Sequence, residues 1–273
     1  NGKGGIVDDL IIYKMADEVY FVVVNASNIE KDWNHISKFN EKFGAKMTNI
    51  SDETSLIAIQ GPLATQILQK LTSTNLSEIP YYHFSIGTVD GVQDVIISNT
   101  GYTGSGGFEI YFKNENAEQL WNALTEAGKE EGLVPCGLAA RDTLRLEKGF
   151  CLYGNDIDDS TSPLEAGLGW ITKLGKGDFV DAEFFKKQKE EGVSRKLVGF
   201  ELLEKGVPRH DYPVMDAEGN VIGKVTSGTS SPMKKIGLGL AYVKTEFSKP
   251  ESAIFIQIRN KNIPAKVVKT PFV

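Results

Sequence analysis

The chain has 273 residues, 41% hydrophobic and 24% charged, with a formal net charge of −6. That balance describes an ordinary globular protein with enough residues for one large domain or two. No long basic run advertises a nucleic acid or an anionic membrane as partner, and the apolar run VYFVVVNA falls well short of the ~20 residues of a membrane-spanning helix.

The sequence opens on Asn1 rather than Met, a few residues before a strand-like run. It reads as though it begins partway through a longer unit, and no signal peptide is visible. IVDDLIIYKM, a polar ADE and VYFVVVNAS together predict a β-hairpin. Within its first strand, Ile6, Asp8, Leu10 and Ile12 share one face and Val7, Asp9, Ile11 and Tyr13 the other. Each apolar face thus carries one carboxylate, which is costly to bury unpaired. Either both acids lie at the start of the strand and reach water or cap a turn, or one points into a ligand pocket.

Residues 28–43 carry apolar side chains at 29, 33, 36 and 39, a helical stripe. TSLIAIQG is a strand ending at Gly61, and PLATQILQKL is a helix with Pro62 near its first turn. VQDVIIS and FEIYF are strands separated by the glycine-rich loop GYTGSGG, and AEQLWNALTEAGKE is an amphipathic helix. The alternation predicts an α+β fold rather than a doubly wound sheet. Near residue 190 a charged connector, KKQKEEGVSRK, leads into short strands with Gly/Pro turns, a separate small all-β barrel or sandwich. The expected division is 1–190 and 197–273.

Several motifs fail their tests. GYTGSGG lacks the phosphate-loop lysine and precedes a strand instead of opening a helix, and Thr103 breaks a G-x-S-x-G reading. NDIDDSTSPLE resembles a calcium loop, but Thr161 and Gly167 occupy the places that need glycine and glutamate. Ser162-Pro163-Leu164-Glu165 instead spells a capping box and predicts a helix start. His35, His83 and His210 lack metal-ligand spacing, and Cys136 and Cys151 form no CxxC pair. No metal site is expected, and a reducing compartment fits.

FEIYF is more informative. Phe108, Ile110 and Phe112 face one way, which leaves Glu109 beside Tyr111 on the other. A carboxylate next to an aromatic ring suits a flat heterocycle with an N–C–NH2 edge, through two parallel charge-assisted hydrogen bonds. The same pattern also fits a polar outward face. GLAARDTLRLEKG is a helix with Arg141 and Arg145 one turn apart, where Asp142 can pair with Arg145.

Taken in order, GGIVDDLIIY, VVVNAS, LIAIQGP, GYTGSGGFEI, RDTLRLEKGFCLYGNDID, SPLEAGLGW and VTSGTSSP resemble the tetrahydrofolate-dependent aminomethyltransferase (T-protein) family of the glycine cleavage system. The likeness runs from Gly4 to the terminal PFV. It implies an α+β folate-binding domain with ferredoxin-like elements plus a C-terminal β-barrel. It also implies a reaction: a lipoyl carrier protein (the H-protein) presents an aminomethyl group on its dihydrolipoyl arm. The one-carbon unit passes to tetrahydrofolate, releasing ammonia and leaving 5,10-methylenetetrahydrofolate. The resemblance makes Asp9 the catalytic carboxylate beside the attacking folate nitrogen, and Glu109 and Arg141 folate-binding residues. Tyr111 and Asn25 join the pocket, and Asp8 is expected to be structural, on the opposite face at the sheet edge. The implied partners are the carrier and a small-molecule folate, with no nucleic acid or membrane. The implied place is the cytoplasm, or the mitochondrial matrix in a eukaryote.

Three departures stand out. Ser105 replaces an acid usual after GYTG, the chain stops at Val273 without the tyrosine tail of some members, and the family's usual segment before GGIxDD is absent. The alternatives are a folate-dependent demethylase domain and the folate-binding proteins of iron–sulfur and tRNA-modification pathways. The latter carry cysteine directly after Lys-Gly, whereas here Phe150 follows Lys148-Gly149.

Overall fold

A computed structural model describes residues 1–273. The chain packs as two compact units, Asn1–Gly44 with Leu146–Val273, and Ala45–Arg145. This grouping differs from a cut near 190. Glu147 accepts hydrogen bonds from the Ser231 hydroxyl and the Met233 amide, so the chain just after residue 145 belongs with the strands that close the sequence.

In the 45–145 unit, β3 (Thr54–Gln60), β4 (Phe84–Val89), β5 (Val92–Ser98) and β6 (Gly107–Lys113) form an antiparallel sheet of order β3-β6-β5-β4. Ile59, Val95, Ile97, Phe108 and Ile110 point from it into a core shared with α2 (Ala64–Gln69) and α3 (Ala117–Ala127). The sequence reading has no strand at 84–89. The signal for it is Asp90-Gly91, both at positive φ, a two-residue hairpin turn that aligns Val89 with Val92. Helix α4 spans Leu138–Glu147.

In the other unit, β1 (Ile11–Ala16) pairs with β2 (Val19–Val23), and α1 (Ile29–Asn40) follows. The strand expected from residue 6 therefore starts only at Ile11. Upstream, the Ile6 amide bonds to the carbonyls of Asp158 and Thr161, each at 3.1 Å, and Asp8 takes up side-chain partners of its own. The hydrogen bonds that would extend the ladder are spent elsewhere.

The capping box forms but nucleates no helix. Glu165 accepts the Ser162 amide at 3.0 Å and its own amide reaches the Ser162 hydroxyl at 3.1 Å, yet Gly167 turns to φ +75° after a single turn. The charged stretch after residue 185 is likewise no open connector, since α5 covers Ala182–Glu191.

Six strands then close a barrel of order β10-β7-β12-β11-β8-β9: β7 (Arg195–Leu202), β8 (Pro213–Met215), β9 (Val221–Ser230), β10 (Gly237–Lys244), β11 (Ala253–Ile258) and β12 (Lys261–Val268). Alternate residues Val198, Phe200 and Leu202 of β7, with Ile254, Ile256, Ala265 and Val267, fill its interior. Opposite Leu240 and Ala241 of β10, Thr226 is an extra residue that bulges β9. Its hydroxyl, with that of Ser227, donates to the fully buried carboxylate of Asp156. The Leu152 amide reaches the same carboxylate at 2.9 Å, and the Tyr242 phenol donates to the Asp156 carbonyl at 2.9 Å.

Candidate active site

Asp8 and Asp9 do not lie on opposite faces of a strand. Both meet the side chain of Asn25, which stands just beyond β2. Its Nδ2 lies 2.8 Å from Asp8 Oδ1, 2.9 Å from Asp9 Oδ1 and 3.1 Å from the Asp9 carbonyl. The Asn25 backbone amide adds a 3.0 Å bond to Asp8 Oδ2. Asn28, at the start of α1, makes no capping bond and donates its amide to Asp8 at 2.5 Å. Asp8 therefore accepts from several donors, whereas Asp9 is exposed and accepts from the Asn25 side-chain amide.

Burial works to raise the Asp8 pKa, but hydrogen bonds from Asp32, Asn25 and Asn28 outweigh it and hold that carboxyl below its ordinary value. Lys31 secures the flank: its Nζ donates to the Tyr153 hydroxyl at 2.6 Å, which in turn donates to the Ile6 carbonyl at 2.9 Å.

In the 45–145 unit, Glu109 and Tyr111 share the face of β6 turned away from Phe108 and Ile110. That face is not a solvated one, for Tyr111 is 3% exposed and Glu109 half-buried. The buried Thr100 hydroxyl donates to Glu109 Oε2 at 2.5 Å and lies 3.0 Å from Ser98 Oγ. This fixes the carboxylate by one edge.

The loop at 101–106 is braced by Gln60. Its amide reaches the carbonyls of Thr100 and Phe108 at 3.1 and 3.2 Å, and its oxygen accepts from the Thr103 hydroxyl at 3.0 Å. The two arginines of α4 take different roles. Arg145 is 1% exposed and binds Asp142 through Nη2 at 2.6 Å and Nε at 2.8 Å. Arg141 is exposed, its guanidinium 4.3 Å over the ring of Tyr102.

Asp9 and Asn25 are thus brought together, as are Glu109 and Tyr111, while the two groups belong to different compact units. Thr100, Gln60 and Asp32 escape the sequence reading. Thr100 and Gln60 flank strand ends with no motif of their own, and Asp32 sits beside the apolar stripe of a helix.

Comparison with known proteins defines the class first. Residues 1–176 match the GCVT N-terminal domain, and residues 195–273 match the glycine cleavage T-protein C-terminal barrel domain. The aminomethyltransferase of Flavobacterium psychrophilum is 65% identical over 100% of this chain and 75% of that protein. The one from Halothermothrix orenii is 50% identical over 99% of this chain and 75% of its own length. The crystal structure of glycine cleavage system aminomethyltransferase T from Bartonella henselae superposes with a TM-score of 0.91 at 34% identity, covering 100% of this chain and 74% of that one. The chain belongs to the glycine cleavage T-protein family of aminomethyltransferases. None of its helices is long and apolar enough to cross a membrane.

Proposed function

We propose that the chain transfers the one-carbon unit of an aminomethyl group, held on the dihydrolipoyl sulfur of a carrier protein, to tetrahydrofolate. Two folate nitrogens bond to the methylene carbon, which leaves both sulfur and nitrogen. The two folate N–H protons end on the thiol and on ammonia, and 5,10-methylenetetrahydrofolate is formed. The observation that supports this reading best is Asp9, an exposed carboxylate whose Oδ1 is oriented by the Asn25 side-chain amide. Such an anion orients a weakly basic arylamine and stabilises the iminium-like charge that develops as the carbon–sulfur bond breaks.

In this reading Glu109 accepts the pterin's N–C–NH2 edge beside Tyr111, Arg141 contacts the folate, and Asn25 sets the direction of Asp9. Residues 1–190 form the folate-binding region and 197–273 the barrel. A dihydrolipoyl arm must stay reduced, which favours the cytoplasm as the place of reaction.

The test is ammonia release from an aminomethylated lipoyl carrier with and without tetrahydrofolate. Release that depends on folate supports the transfer, and release indifferent to folate refutes it. Glu109→Ala is expected to weaken tetrahydrofolate binding by about one to two powers of ten in Kd, the ~1.5–3 kcal/mol of hydrogen bonds to a charged group. An unchanged folate titration removes Glu109 from the pterin site.

A further inference from the structure

Asp32, in the first turn of α1, is 3% exposed, and neither of its carboxylate oxygens meets an N–H or hydroxyl donor. Its hydrogen-bonding neighbour is the Asp8 carboxyl. An ionised carboxylate only accepts, so two carboxylates bond to each other only while one keeps a proton. Asp8 already receives three donors from Asn25 and Asn28, so Asp8 is the anion and Asp32 the acid.

We propose that Asp32 is a positioning residue for Asp9: the proton it shares with Asp8 keeps Asp8 seated on Asn25 and Asn28, and the Asn25 amide so held steadies the Asp9 carboxylate.

The groups that face the pair are few. Lys31, on the same helix, works to ionise Asp32, but its ammonium is engaged by the Tyr153 hydroxyl. Asp159, from the segment that receives the Ile6 amide, adds a second negative charge, and the Tyr153 phenol lies on the Asp8 side. The helix N-terminus also favours the anion. Burial, then the hydrogen bond and charge of Asp8, outweigh these and push Asp32 up to about 7. Above that pH the buried Asp32 anion lies beside the half-buried Asp8 anion, Asp8 is driven from its donors, and Asn25 loses the partner that orients it.

The link to catalysis rests on Asp9 being the reacting carboxylate, whereas the shared proton does not. In wild-type protein labelled at the aspartate carboxyl carbons, NMR should show the pair holding one proton at about pH 6, where ordinary carboxyls are ionised. The Asn25 side-chain amide should shift with the same midpoint. In Asp32→Asn, a permanent neutral donor, both titrations should vanish. Stability follows the same proton. Asp32 gives up its proton at higher pH in the folded chain than in the unfolded one, so stability falls as pH rises from the usual carboxylate range through about 7. Asp32→Asn should flatten that slope.

In turnover, the parent should lose about tenfold in kcat between about pH 6 and pH 8 with folate KM steady, the scale of a slightly misplaced group. Asp32→Asn should stay within about twofold over that range. Every aspartate ionised at about pH 6, or an Asn25 amide indifferent to the titration, overturns the proposal. So does an Asp32→Asn profile that keeps the parent's alkaline limb. A chain that transfers nothing at any pH refutes the proposed function instead, and the carboxyl titration still decides whether the proton is shared.

Discussion

Replacing Asp9 with asparagine lowers the rate of folate-dependent ammonia release by about two to three powers of ten, while tetrahydrofolate Kd changes by less than about threefold. Asparagine keeps the shape of the side chain and can still accept the 2.9 Å bond from Asn25, so the pocket geometry survives. What is lost, on the role proposed for Asp9, is the negative charge beside the carbon that turns iminium-like, an interaction present mainly in the transition state. Groups of that kind act on kcat rather than on substrate binding, and removing one costs about 3–4 kcal/mol of barrier. Single-turnover release with the carrier saturating, beside a folate titration, separates the two. A loss of less than about fivefold, or a fall in affinity that matches the fall in rate, makes Asp9 a binding group instead.

The second large effect falls on stability. Asp156→Ala should cost about 3–5 kcal/mol, because it strands buried hydrogen-bond donors rather than one surface contact. The hydroxyls of Thr226 and Ser227 and the amide of Leu152 all lose the carboxylate they share, and the Thr226 hydroxyl is left with the Leu240 carbonyl at 3.2 Å. At about 2–4 °C of melting temperature per kcal/mol for a chain of this size, the fall is on the order of 10 °C. Urea unfolding of the variant beside Asp156→Asn, which keeps one acceptor oxygen, measures it. Two variants that unfold with the parent's midpoint return Asp156 to the rank of a solvated loop acid.

These two aspartates also mark how far the sequence could be read. Short runs of β-branched and aromatic residues bounded by turn signals, such as VQDVIIS and FEIYF, predict strands where the structure has them, because that composition is a local signal. Glu109 beside Tyr111 on one face is legible from the alternation of FEIYF, and in the structure that face is not a solvated one.

Asp8 and Asp9 were misplaced. Alternation assumes that the backbone pairs in a ladder, and here Asn25, Asn28 and the 158–161 segment supply partners that no local window contains. Asp32 was invisible, since a single acid beside the stripe of Ile29, Trp33, Ile36 and Phe39 looks like ordinary helix surface. Its meaning comes from Asp8, a residue distant in sequence. The capping box shows the opposite limit. The local signal was read correctly and its hydrogen bonds exist, but a glycine two residues further on decides the outcome.

The bulge at Thr226 bears on how this architecture can be inherited. The barrel strands begin at Arg195, but the acid that satisfies the bulge lies upstream, at Asp156. A recombination event that moved only the barrel-coding stretch to a new gene would deliver two buried hydroxyls without the carboxylate they donate to. To travel intact, the barrel has to bring an acidic segment from outside its own strands or find a replacement in its new host. The two parts of the sequence are bound to change together.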